Sequence, residues 1–415
     1  MTSGGQPPAY GPPPAQGGGP QAYQPPRPAY PSVLAKNPMR VAPQAPAAPA
    51  PSPALPALPT PVRKGRTMSF WMFGVLAFLL LQLIGYFVNA LGAGASVLGL
   101  VLALVPLSIV LLGVWLIDRW EPEPRSLVAF ALAWGAIAAV GIALLVDRGL
   151  GQVFGDRPDA LTAVVQAPLV EEVGKGLGVF LIYVFARRAF DGPVDGVVYG
   201  ALVGAGFAFT ENIQYFAISL HEGGGQQLTA TFVVRGLMSP FAHAMFTSLT
   251  GFAIGLAARR GASAQSAFGA GCLGVLGAVA LHALWNGSSL FGDFFPLYLT
   301  MQVPLFVGFI LGIIALRREE SRLTRERLGD YARAGWFTPE EVTMLATAAG
   351  RRTAMKWASS LRGDRRPLMK SFIRDATELA AVRQRAITGH DRYAAADEHA
   401  LLVRTRATRA ALLAY

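Results

Sequence analysis

Cysteine is nearly absent from this chain. Only Cys272 occurs in 415 residues, so neither a disulfide framework nor a cysteine-ligated zinc site is available. Charge is scarce too: 15% of residues are charged and 53% hydrophobic, against roughly a quarter charged in an average soluble domain. Familiar hydrolase signatures are missing. His221-Glu222 runs into glycines with no second histidine at zincin spacing, and there is no Gly-x-Ser-x-Gly elbow. Asp118, Asp147, Asp191 and Asp195 sit at the ends of apolar runs, where capping or solvation suits them better than an intramembrane aspartate pair. The polar, proline-rich start lacks the basic-then-apolar pattern of a leader, so a cleavable signal peptide is not expected.

What the chain has is apolar length. Mean hydropathy is +0.40, and the runs between Phe70 and Leu316 are long enough to cross a bilayer. They predict an all-α polytopic membrane protein with about eight spans: Phe70–Leu91, Ala95–Ile117, Ser126–Val146, Ala160–Phe185, Val194–Leu220, Phe232–Ala258, Gln265–Leu290 and Phe295–Leu316. Pro106, Pro168, Pro240 and Pro304 fall inside these runs and predict kinks. Gly200/Gly204 and Gly251/Gly255, at four-residue spacing, predict close helix contacts. Arg63, Lys64, Arg66, Arg119, Arg125, Arg187, Arg188, Arg259, Arg260, Arg317 and Arg318 all fall on one side if the spans alternate. The other side carries Arg148, Arg157 and Arg235. The positive-inside rule then puts both termini in the cytoplasm of a multi-pass cell-membrane protein.

Three regions follow from composition. Residues 1–62, rich in Pro, Gly, Ala and Gln, cannot bury enough apolar surface to offset ordering and are expected to be disordered. Residues 63–318 form the membrane domain, and residues 319–415 a basic, helix-prone tail. From Arg317 onward 20 Lys/Arg stand against 12 Asp/Glu, supplying +8 of the net +11. Beside a membrane, that excess favours anionic lipid headgroups as the partner and no nucleic acid. Amphipathic segments are expected near Leu328–Gly350, Pro367–Ile387 and Tyr393–Leu413, with Thr338-Pro339-Glu340-Glu341 as a helix start.

Glu171, Glu172, Glu211, His243 and His282 lie inside the apolar runs. A charge at the bilayer centre costs roughly 3 kcal/mol on insertion scales, so such residues point to a use. Lys175 follows Glu171 by four residues and Glu172 by three, within pairing reach on a helix. His282 and Asn286 share a helix face. Counted from the outer ends of their spans, Glu171, Glu211, His243 and His282 lie about 8–11 residues deep. At 1.5 Å per residue that is one layer roughly 12–17 Å below the outer surface. Adjacent carboxylates beside an ammonium and two imidazoles suit proton or metal chemistry. The plainer readings are a buried ion pair locking helices in a non-catalytic scaffold, or a proton-coupled transporter. No motif repeats between the two halves, which weakens the transporter.

In order along the chain, Glu171-Glu172-x-x-Lys175, Phe207-x-x-x-Glu211-Asn212, His243 and His282-x-x-Trp285-Asn286 resemble the PrsW family of intramembrane proteases, related to the CAAX-prenyl endopeptidases. Asp118-Arg119-Trp120-Glu121-Pro122-Glu123-Pro124 and Asp195-Gly196-x-x-Tyr199-Gly200 extend the likeness, which covers about residues 70–316. The resemblance implies a peptidase of metallo-type cutting a membrane-anchored protein, such as an anti-sigma factor, on the extracytoplasmic side. It makes Glu171 the base that activates water, with Glu172 and Lys175 tuning it. Glu211, His243 and His282 would orient that water or ligate zinc, and His282 and Asn286 would donate to the oxyanion. Zinc and a metal-free water use the same residues, and the sequence leaves both open.

Overall fold

The computed structural model describes residues 66–414, apart from 120–121, 188, 291–292, 362 and 390–392. The head expected to be disordered, and with it Arg63 and Lys64, lies outside the described residues, as do Trp120, Glu121 and Arg188. Every regular element among the described residues is a helix.

Among the described residues, six stretches are long and apolar enough to cross a membrane: Trp71–Leu91, Ala93–Asp118, Arg125–Phe154, Pro193–Arg259, Ala264–Ser288 and Phe294–Arg333. The chain is therefore an all-α polytopic membrane protein. The 67-residue stretch Pro193–Arg259 far exceeds the ~20 residues one crossing needs, and it is interrupted twice: the backbone leaves helical geometry at Gly223 (φ −140°, ψ 16°) and Gly224 (φ 61°, ψ −151°), and again before Ala242. We number the bundle α1 (Arg66–Leu91), α2 (Ala93–Asp118), α3 (Arg125–Phe154), α4 (Ala167–Phe185), α5 (Pro193–Thr231), α6 (Ala242–Arg259), α7 (Ala264–Leu290) and α8 (Val303–Arg333). The helix α4 carries Glu171, Glu172 and Lys175, too many charges to qualify as a span by composition, yet it packs among the others.

Proline punctuates the bundle differently from a set of simple kinks. Pro106 does lie within α2. Pro168 and Pro304 instead stand in the first turns of α4 and α8, just after π-helical turns at Thr162–Gln166 and Tyr298–Gln302. The expected helix Phe232–Ala258 is not continuous: a π-helical segment, Phe232–Met238, ends at Ser239, and α6 begins at Ala242. Pro240 sits in the gap, where it has no amide proton to give a helix. The break puts His243 in the first turn of α6.

The helix α5 is the axis of the bundle, and small residues let its neighbours close on it. A Cβ on Gly196 would lie 2.0 Å from the Gly251 carbonyl oxygen, and one on Gly204 would lie 2.3 Å from that of His243. On the opposite face, a Cβ on Gly206 would meet Leu132 O at 2.1 Å. The backbones of α3, α5 and α6 touch because these positions have no side chain. Tyr199 Oη donates to Glu123 at 2.5 Å, tying the start of α5 to the segment before α3.

Beyond residue 318 the helix α8 runs on unbroken to Arg333, and Gly335 (φ 86°) turns the chain. Four helices follow: α9 (Pro339–Ala346), α10 (Ala348–Ser360), α11 (Arg366–Thr388) and α12 (Ala394–Leu413). With the end of α8 they enclose a second core around Leu328, Tyr331, Phe337, Phe372, Leu379 and Leu401. The Thr338 cap forms as expected: Thr338 Oγ1 accepts from Glu341 N at 3.1 Å, and Glu341 Oε2 accepts from Thr338 N at 2.8 Å. Arg409 then grips Glu341 with two bonds, of 2.8 and 2.9 Å.

Candidate active site

Lys175 is wholly buried in α4, and each of its three ammonium protons has an acceptor. Nζ lies 3.0 Å from Glu171 Oε2, 2.8 Å from Glu172 Oε1 and 3.0 Å from His243 Nδ1. The Phe207 ring centroid is 3.7 Å from Nζ, adding a cation–π contact where no water competes. An ammonium has only donors. Nδ1 of His243 must therefore accept, so Nε2 carries the ring proton and donates to Glu211 Oε2 at 2.9 Å.

The two adjacent glutamates have different surroundings. Glu172 has no exposed surface and is saturated: Oε1 accepts from Lys175 and from His282 Nδ1 at 3.1 Å, and Oε2 from Thr247 Oγ1 at 3.0 Å. Glu171 gives Oε2 to Lys175, while its Oε1 has no partner among the described residues. Glu172 is thus an anchor holding α4, α6 and α7 together, and Glu171 keeps an oxygen in reserve.

Because Nδ1–H of His282 is committed to Glu172, a neutral His282 offers a lone pair at Nε2. In that tautomer the ring can accept at Nε2, and donation to an oxyanion, the role that the resemblance implies, requires the protonated ring. Asn286, one turn on, gives one Nδ2 proton to Ala163 O at 2.9 Å and keeps the second. Phe246 stacks on the His282 ring at 4.7 Å and fixes its plane.

A cavity of about 320 Å³ opens against this network, lined by Glu211, His243, His282, Asn286, Arg235 and Trp285 among others. It falls within the size range of small binding sites, about 300–1,000 Å³. Six of the seven candidate residues form one connected set of polar contacts, and Asn286 lines the same cavity. Glu171 and Glu172 stand behind His243 and His282 rather than in the cavity wall.

Glu171, Glu172, His243 and His282 each offer a ligand atom, all within 4.8 Å of one another, and by proximity this group could hold a metal ion. The set has Glu171 and Glu172 where Glu211 was expected beside His243 and His282, and Glu211 Oε2 is engaged by both His243 and Arg235. Carboxylates and imidazoles are the right donor types for zinc. In this arrangement, however, Lys175 occupies the cation's place and takes a lone pair from Glu171, Glu172 and His243. Two ligand atoms stay uncommitted, Glu171 Oε1 and His282 Nε2, fewer than the three protein ligands of a catalytic zinc site. With Lys175 seated as it is, the residues do not fit a resident metal.

Two participants escaped the sequence reading. Thr247 supplies the third bond to Glu172. Arg235 meets Glu211 through Nη2, bonds Asn212 Oδ1 through Nε at 2.9 Å, and lies 3.9 Å from the centroid of the Tyr215 ring. Arg235 lies inside the expected run Phe232–Ala258, and an ionisable group there is the signal that marks it; counting it only with the charges of one membrane side passes over that signal.

Residues 123–310 match the family model described as PrsW family intramembrane metalloprotease. Among curated proteins, Protease PrsW of Geobacillus kaustophilus is 32% identical over 143 residues, covering 34% of this chain and 59% of the relative. Protease PrsW of Bacillus subtilis is 28% identical over 143 residues, covering 34% and 61%. The Oceanobacillus iheyensis protein of the same name is 27% identical over 135 residues, covering 32% and 58%. The chain thus spans about three fifths of the length of the curated relatives it matches. No solved structure is significantly similar.

Proposed function

We propose, from the PrsW-family domain that this chain carries at residues 123–310, that it is an intramembrane endopeptidase hydrolysing a peptide bond of a membrane-anchored protein. The observation that carries this reading is the uncommitted Glu171 Oε1 beside a buried ammonium, at the back of a cavity edged by two imidazoles. Three carboxylates, Glu171, Glu172 and Glu211, face two fixed cations, Lys175 and Arg235. One carboxylate is thus left without a full counter-charge, the condition for a group that takes a proton and returns it.

In the proposed reaction a water held between Glu171 Oε1 and His282 Nε2 loses its proton to Glu171 and attacks the scissile carbonyl. The free Nδ2 proton of Asn286 meets the oxygen as charge develops on it. Glu171 then passes its proton to the leaving amine. Lys175 and Glu172 hold the base and His282 in register, and Glu211 fixes the His243 tautomer. The arginine distribution supports cytoplasmic termini and a cavity on the extracytoplasmic half. A membrane-anchored anti-sigma factor is the substrate class that the family resemblance implies, with cleavage on that side.

Glu171→Gln keeps size and hydrogen bonding but removes the base. General-base contributions are typically about 10²–10⁴, so fragments of membrane proteins present in wild-type cells should fall by at least a hundredfold in the variant at equal protein level. Unchanged fragments would remove Glu171 from this role.

A further inference from the structure

The Arg235 side chain is an expensive group to place at membrane depth, and pairing with Glu211 accounts for only part of its geometry. Nη2 meets Glu211, Nε meets Asn212 at 2.9 Å, and the guanidinium plane rests on the Tyr215 ring, so three contacts fix its position. A single counter-ion needs no such clamp; a lysine-like point charge would serve. What the clamp leaves over is Nη1. It has no partner among the described residues, the side chain keeps 25% of its surface, and the residue lines the cavity on the side of Glu211 and His243.

We infer that Arg235 is a substrate-binding residue: its Nη1 donates to a main-chain carbonyl of the bound peptide and sets which bond lies over Glu171. The ligand chemistry follows from the donor. A membrane-embedded segment must be unwound to be cut, and unwinding leaves carbonyls without donors at a depth where water is scarce. A rigid guanidinium on the His243 side of the cavity meets that need, and a carbonyl rather than a carboxylate is its partner because Glu211 already balances its charge. The chain leaves helical geometry at Gly223 and Gly224, after which Thr231 meets Ser219 at 2.7 Å and Arg235, in the π-helical turn Phe232–Met238, reaches Asn212, so this segment lies back along the first part of α5. This inference rests on the peptidase reading above.

The test compares membrane-protein fragments, with their cut ends mapped, in cells making wild-type protein, Glu171→Gln, Arg235→Lys and Arg235→Gln. Protein level and melting temperature in detergent are measured for each. Arg235→Lys keeps the charge against Glu211 but loses the clamped donor. We expect it to melt within a few degrees of wild type, to lower the wild-type fragments about 10- to 100-fold, as for loss of a charge-assisted hydrogen bond, and to scatter the cut positions. Raising the amount of the cleaved protein should restore much of the yield, because binding is impaired rather than chemistry. Fragments lost in Glu171→Gln but intact in Arg235→Lys would overturn the assignment and leave the peptidase standing. A loss that added substrate does not relieve would also overturn it, making Arg235 a support for Glu211 alone. Fragments unchanged in Glu171→Gln would remove Glu171 as the base, and with it the placement of the cut bond over Glu171 that this inference asserts.

Discussion

Lys175 decides the chemistry of the site at the scale of single residues. Removing a buried partner from an ion network costs about 3–5 kcal/mol, because it strands the opposite charges, and here one ammonium serves two carboxylates and an imidazole. The same geometry makes a prediction about metal. With three of the four possible ligands donated to Lys175, purified active protein should hold well below one zinc per chain, and chelators should leave cleavage largely intact. Elemental analysis alongside a chelator titration decides this. Stoichiometric zinc that disappears in His243→Ala, with cleavage lost to chelator, would mean that Lys175 swings away in the working enzyme. The sequence made the residue types legible, since ionisable groups in apolar runs are conspicuous. It could not reveal that Lys175 bonds His243, 68 positions away, because side-chain pairing across helices has no local signature.

At the scale of elements, the site depends on how closely α5 and α6 approach. Gly200/Gly204 and Gly251/Gly255 were legible as contact stripes, since four-residue spacing keeps small residues on one helix face, and both stripes lie in the α5–α6 interface. A Cβ at Gly204 would sit 2.3 Å from the His243 carbonyl oxygen, far inside van der Waals contact, so the backbone of α6 must retreat. Gly204→Ala should therefore displace His243 from Lys175 and lower cleavage at least tenfold, with a lower melting temperature. Gly141→Ala, in α3 with open space around its Cβ position, is the control and should change neither. Equal behaviour of the two variants would show that the helix approach does not set the site. The π-helical segment with Arg235 was not legible, for a physical reason. Its residues are as apolar as a regular helix, and the extra residue per turn is stabilised by tertiary contacts that no periodicity records.

Across the whole molecule, the membrane bundle and the helical tail are joined by the unbroken α8 and by Arg385, whose Nη1 lies 2.7 Å from Asp191 at the entrance to α5. The tail's helices were legible from amphipathic spacing and the Thr338 cap, while the buried polar groups that fasten them were not. One of these, Glu398, makes the tail sensitive to pH. Tyr331 Oη donates to Glu398 Oε1 at 2.5 Å, Arg383 Nη1 stands 4.0 Å away, and Oε2 is buried without a partner among the described residues. Burial pushes the Glu398 carboxyl up to about 7 from an ordinary 4.5. The sign follows from proton counting: between these values the folded tail holds a proton that the unfolded chain has released. Stability therefore falls as pH rises from about 4.5 to about 7 and levels off above that. Hydrogen exchange of the α12 amides in the full-length protein, corrected for intrinsic rates, should show weaker protection at pH ~8 than at pH ~5.5, by on the order of 1 kcal/mol once solvent screening is allowed for. Glu398→Gln, neutral at every pH and still able to accept from Tyr331, should abolish the difference by raising protection at the higher pH. Equal protection of wild-type α12 at both values would mean that Arg383 compensates the ionised carboxylate, and the tail would carry no such dependence.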